Sequence, residues 1–125
     1  LLPTPPTAIV YATDMAALGA YKAAAELGLK IGKEISIISY DGVPEGAYAI
    51  PPLTTFKVDT KKAGARLTAL LIARIRGNAP EMLRETDSAL LEQGKSEGLP
   101  VLSSSELACQ INKVKKFQVN QTKKR

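Results

Sequence analysis

The sequence contains no histidine, no tryptophan and a single cysteine, Cys109. Without histidine there is no Ser-His-Asp triad, no imidazole general base and no His-ligated metal site. One cysteine cannot form an internal disulfide, and it fits a reducing compartment. Aromatic residues make up 5% of the chain, and no apolar run approaches the ~18 residues that a membrane span needs. No enzyme, no cofactor and no metal is therefore expected. What is present is ordinary for one globular domain: 125 residues, 45% of them apolar and 23% charged, enough to bury a core.

The net charge of +5 is unevenly placed. Residues 1–103 hold 11 basic and 11 acidic side chains. The whole excess lies in residues 104–125, where Lys113, Lys115, Lys116, Lys123, Lys124 and Arg125 face only Glu106. Such a tail binds anions or nucleic acid, or is simply a solvated terminus. At the other end, Leu1-Leu2-Pro3-Thr4-Pro5-Pro6 has no basic region and no small-residue cleavage site, so it does not read as a signal peptide. It reads as the exit from an earlier element, which makes a fragment or a mature product of a longer chain the expectation.

Periodicity then sets out the elements. Thr7–Ala12 is apolar without alternation, as in a strand covered on both faces. Thr13-Asp14 offers helix N-cap chemistry, Met15, Leu18, Tyr21 and Ala25 recur at helical spacing, and Gly28 suits the residue just past a helix end. Ile35–Tyr40 is a second apolar strand, ending at Asp41-Gly42. Strand, helix and strand make a βαβ unit with parallel pairing. Leu53–Val58 predicts an edge or crossing strand. Asp59 or Thr60 caps a helix over 60–76 whose apolar face is Ala63, Leu67, Leu70, Leu71 and Ile75. A strand is expected within 86–93, and a last helix over 104–117 with Leu107, Ile111 and Val114 on one side.

Several motifs carry nothing. Gly28–Glu34 looks like a phosphate-binding loop but is one residue short, ends in Glu and follows a helix, so it is a turn. Asn120-Gln121-Thr122 matches a glycosylation sequon of a kind common by chance, and Cys109 has no partner fixed by sequence. The stronger signal is positional. Thr13-Asp14 and Asp41 close two successive parallel strands, and in open α/β sheets ligands bind outside such carboxyl ends. If the strands are neighbours, the two turns converge on one crevice, where a carboxylate accepts hydrogen bonds from vicinal hydroxyls or ring N–H groups. Asp41 is read as a ligand contact or a strand-end turn residue, and Asp14 as a cap or scaffold residue or a second ligand contact.

Taken in order, Thr7–Ala20, Ile35–Gly42, Pro51-Pro52-Leu53-Thr54-Thr55 and Ala63–Leu67 resemble the carboxyl-terminal half of the effector-binding region of lactose/galactose-repressor (LacI/GalR) family transcription regulators. The resemblance covers residues 7–94 and implies an α/β, parallel-sheet βαβ lobe of a periplasmic-binding-protein-like (type I) fold, here incomplete. It implies that residues 1–58 form mainly one lobe, 59–78 a helix of the other, and 86–94 a returning strand, with 95–125 as an extension. Asp41 matches the family carboxylate that holds sugar hydroxyls or a purine. Thr13 stands where many members have a ligand-touching Asn, and Val58 where many have Gln. Leu18, Tyr21, Ala47 and Tyr48 fall at or near the family's subunit interface, although Leu18 and Tyr21 read equally well as core. The implied partners are a small sugar or nucleobase-like effector, operator DNA reached through a helix-turn-helix upstream of this chain, and a second copy in a homodimer or swapped oligomer, all in the cytoplasm and away from any membrane. A periplasmic sugar-binding protein of a transporter is the other class left open; the Pro51–Thr55 segment favours the regulator.

Overall fold

The computed structural model describes residues 4–122. Four strands form one sheet in the order β1 (Ala8–Val10), β2 (Ser36–Asp41), β3 (Thr54–Lys57) and β4 (Leu90–Glu92). β1 and β2 are parallel, with Ile9 opposite Ile37; β2 and β3 are parallel, with Asp41 opposite Lys57; β4 returns antiparallel to β3. The parallel βαβ unit is as expected. Of the edge or crossing strand expected at Leu53–Val58, the edge alternative does not hold: β4 pairs along the outer side of β3, so among the described residues the edges are β1 and β4. The strand expected within 86–93 is three residues long, preceded by a 3₁₀ turn at Pro80–Met82.

Helix α1 (Asp14–Glu26) crosses from β1 to β2. Its N-cap is Thr13, whose hydroxyl accepts the Ala16 N–H at 3.4 Å. It ends through Leu27 into Gly28, which takes the left-handed φ of 67° that glycine adopts without strain. Ala17 of α1 packs on Ile37 and Leu53, with Leu18, Ala20 and Tyr21 half-buried around them. Strand side chains alternate between faces. The face toward α1 is buried at Ile37, Ser39, Leu53 and Thr55, while Val10, Tyr40, Phe56 and Leu91 on the other face are exposed. The expectation of a first strand covered on both sides does not hold among the described residues, because one face of the sheet has no helix on it.

Helix α2 (Thr60–Ile75) starts at Asp59, whose carboxylate accepts the Lys62 N–H at 2.9 Å. None of its residues is buried; Leu67 and Ile75 are 67% and 77% exposed. Two ion pairs, Lys62–Asp87 and Arg66–Glu85, tether it to the segment that returns toward β4. Helix α3 (Ser104–Thr122) extends beyond the expected end at 117. Ser103 and Glu106 exchange bonds at its start in a capping box. Leu107 and Ile111 are buried against Ala24 and Leu29, forming a second core cluster under the end of α1.

Between β4 and α3 a short strap closes the amino ends of β2 and β3. Ser96 is fully buried. Its hydroxyl accepts the Thr54 N–H at 2.8 Å and donates to the Ile37 carbonyl at 2.6 Å, while its own carbonyl accepts the Ile37 N–H at 2.8 Å. One serine thus stitches the two parallel strands where they begin.

Candidate functional site

The carboxyl-end turns of β1 and β2 and the near part of β3 meet at one buried carboxylate. Asp14, in the first turn of α1, is 0% exposed. Its Oδ1 accepts the hydroxyls of Ser39 at 2.5 Å and Thr55 at 2.6 Å. Its Oδ2 accepts the backbone N–H groups of Gly42 at 2.9 Å and Val43 at 2.7 Å. An ionised carboxylate has room for about four donors, and here all are supplied by the protein. Burial alone would raise the Asp14 carboxyl, but the Ser39 and Thr55 hydroxyls and the Val43 and Gly42 amides outweigh it and hold the group below its ordinary value. Of the cap and scaffold roles expected for Asp14, the structure shows the scaffold: Thr13 is the cap, and Asp14 reaches the other way, into the sheet.

Asp41 ends β2 in an uncommon backbone conformation, with φ at 127°, followed by Gly42 at 77°. Gly42 is required on two counts, because a Cβ there would also collide with the Lys57 side chain. Lys57 is the residue paired with Asp41 across β2 and β3, yet its ammonium turns to Glu92 at 3.2 Å. The half-buried Asp41 carboxylate is left with no hydrogen-bond partner or counter-ion among the described residues. Its backbone is held from the far side by the Val58 N–H, which donates to the Asp41 carbonyl at 3.2 Å.

Thr13 is exposed at the end of β1, and the Asp14 bonds to Gly42 and Val43 join the Thr13-Asp14 turn to the Asp41-Gly42 turn, as neighbouring strands require. A cleft of about 700 Å³ opens beside them, walled by Tyr40, Gly42, Val58, the first turn of α2 and Ala89-Leu90. Asp41 and Thr13 lie outside its wall. Val58 gives that wall an apolar surface directly after the Lys57–Glu92 pair. Of the expected interface residues, Ala47 and Tyr48 are exposed, Tyr48 at 85%, while Leu18 and Tyr21 pack on the core cluster of α1. Sequence reasoning missed Ser39, Thr55 and Ser96. Each acts across 25 to 59 residues of chain, and polar residues inside apolar strands were the one available hint. Among the described residues no cluster of acidic or cysteine side chains has metal-ligand form, and no helix is long and apolar enough to cross a membrane.

The family model for the periplasmic binding protein-like domain matches residues 1–96. The chain belongs to that family. Its relatives within the family are LacI-type regulators, as the sequence motifs implied. The chain is 41% identical over 78 residues to the HTH-type transcriptional repressor PurR of Pasteurella multocida, an alignment covering 62% of this chain and 23% of that repressor. The lac repressor dimer bound to operator and the anti-inducer ONPF superposes with a TM-score of 0.64 at 34% identity, over 74% of this chain and 32% of that one. A LacI family regulator from Arthrobacter sp. FB24, solved in complex with lactose, gives a TM-score of 0.64 at 26% identity, over 72% of this chain and 35% of the other. This periplasmic-binding-protein-like chain thus spans between 21% and 29% of the length of the curated relatives it matches. The family match stops at residue 96, so α3 lies outside it.

Proposed function

We propose that this chain is the carboxyl-terminal part of the effector-binding region of a LacI-type transcription regulator, and that it contributes one wall of a crevice for a sugar or nucleobase-like ligand. The observation that carries the reading is the Asp41 carboxylate, without a partner among the described residues at a parallel-strand end, while Asp14 beside it is fully bonded. A charged acceptor kept open in this way suits ligand hydroxyls or ring N–H groups. Thr13, one strand away, supplies a shorter second polar contact. Asp14, with all its acceptor sites filled, works from behind the surface.

Residues 1–58 make up mainly one lobe, 59–78 a helix of the opposite lobe, and 86–94 return from it. The exposed Leu67, Leu71 and Ile75 stripe of α2 supports this, since an apolar helix face without a partner is what the absence of the other lobe would leave. Operator DNA is met through a helix-turn-helix elsewhere in the longer polypeptide, and the site of action is the cytoplasm. Ala47 and Tyr48, with Leu18 and Tyr21 at or near it, form the surface toward a second subunit. Calorimetry on the full-length polypeptide with a panel of sugars and nucleobases tests the reading. Asp41→Ala weakens the binding ligand by about 2–4 kcal/mol, as a charged acceptor is lost to desolvated donors. Unchanged affinity in that variant sinks the assignment.

A further inference from the structure

We propose that Asp14 is a positioning residue for Asp41: its buried carboxylate grips the chain on both sides of Asp41 and so holds that side chain at the aim the crevice uses. The inference rests on Asp41 being the ligand acceptor.

The backbone at Asp41 is costly by itself. A residue other than glycine at φ 127° is strained and persists only where its surroundings over-determine it. Here the Val58 N–H holds the Asp41 carbonyl, and one carboxylate holds the chain on both sides of it. Two residues before Asp41, the Ser39 hydroxyl donates to Asp14 Oδ1. One and two residues after it, the Gly42 and Val43 amides donate to Asp14 Oδ2. The Thr55 hydroxyl fixes the same carboxylate from β3, so Asp14 cannot follow if the turn relaxes. With Oδ2 removed, the two amides lose their acceptor, the turn is free to move to negative φ, and the Asp41 side chain swings to a different direction. An amide in place of the carboxylate does less harm. Asn presents its oxygen to the two N–H groups, and the Ser39 and Thr55 hydroxyls turn to accept from its NH₂.

The test reads the turn directly. In the full chain, NMR measures amide exchange at Gly42 and Val43 and the HN–Hα coupling of Asp41. Asp14→Ala speeds exchange at those two amides by about tenfold relative to Ile37 and Ile38 in the same strand, and moves the Asp41 coupling to its negative-φ range. Asp14→Asn leaves both near the parent values. Thr55→Val, which touches neither amide's acceptor atom, gives a smaller change in the same direction and stands in if Asp14→Ala does not fold. A general loss of stability would move Ile37 and Ile38 equally, which overturns the proposal, as does an unchanged turn. A second arm titrates the full-length polypeptide with lactose and D-ribose. A folded Asp14→Ala protein binds about tenfold more weakly, and parent-like affinity overturns the proposal. If neither sugar binds the parent, the functional reading loses support, while the amide and coupling data still decide the role of Asp14.

Discussion

The Tyr21 phenol donates a hydrogen bond to the Pro51 carbonyl at 2.9 Å. It ties the middle of α1 to the segment that leads into β3, across the cis Ile50–Pro51 peptide. A residue that sequence reasoning left between core and subunit interface thus has an internal bond and core packing of its own, with the phenol edge still near the surface.

Tyr21→Phe removes that bond and keeps the ring. The expected cost is about 0.5–1.5 kcal/mol in urea denaturation. Burial pushes the Tyr21 phenol above its ordinary 10.0, the Ser96 hydroxyl lowers it, and Glu97 raises it further. The folded state therefore favours the neutral phenol. Its contribution is complete below the unfolded value near 10 and is lost as pH rises through the higher folded value. Denaturation midpoints followed from pH 9 upward should lose this alkaline decline in Tyr21→Phe; an identical decline in both proteins would show that Tyr21 is not its source.

Asp14 has the opposite dependence. Its carboxyl is held below the ordinary 3.8, so its contribution is present above that value and disappears as pH falls through the lower folded one. Acid titration of stability should be steeper in the parent than in Asp14→Asn, which has no proton to take up there. Equal acid slopes would contradict the bonding pattern around Oδ1 and Oδ2.

Ser96→Ala takes away the hydroxyl that serves Thr54 N–H and Ile37 carbonyl together. Both groups lie at the buried start of β2 and β3, and an unmet buried donor costs about 1–3 kcal/mol. Exchange of the Thr54 amide should quicken well beyond the general change. A Thr54 amide protected as in the parent would mean that the two strands close up without the serine.

Leu107→Ala probes the docking of α3. Leu107 is 1% exposed and sits in one cluster with Ala24, Leu29 and Ile111. The expected loss is about 2–5 kcal/mol, with earlier proteolysis between Gly98 and Ser103. If α3 were dispensable, the variant would unfold at the parent midpoint.

Much of this fold is legible in the residues themselves. The mainly apolar runs at 7–12 and 35–40, the helix between them and Gly28 at its end give the parallel pair directly. Ser103 and Glu106 announce α3, and Asp59 announces α2. Apolar periodicity works because burial follows it locally. The neighbours of β3 were not legible, since strand order depends on where a returning segment docks and Leu90–Glu92 is too short to show a pattern. The site was half visible. Asp41 stands out by its place at a strand end. The work of Asp14 is hidden, because a capping sequence and a buried carboxylate hub look alike until Ser39 and Thr55 arrive from other strands.

The antiparallel pairing of β4 with β3 has an engineering consequence. Lys57 stands opposite Leu90, so the chain leaves the sheet at Val58 and comes back beside its own exit. Everything between, α2 included, is a detour whose two ends sit about one strand spacing, ~4.8 Å, apart. Closing such a detour depends only weakly on its length. It can be shortened, exchanged for the matching piece of a relative, or replaced by a tight reverse turn from Lys57 to Leu90 without changing strand order. The lobe is in that sense a socket, and α2 a replaceable insert.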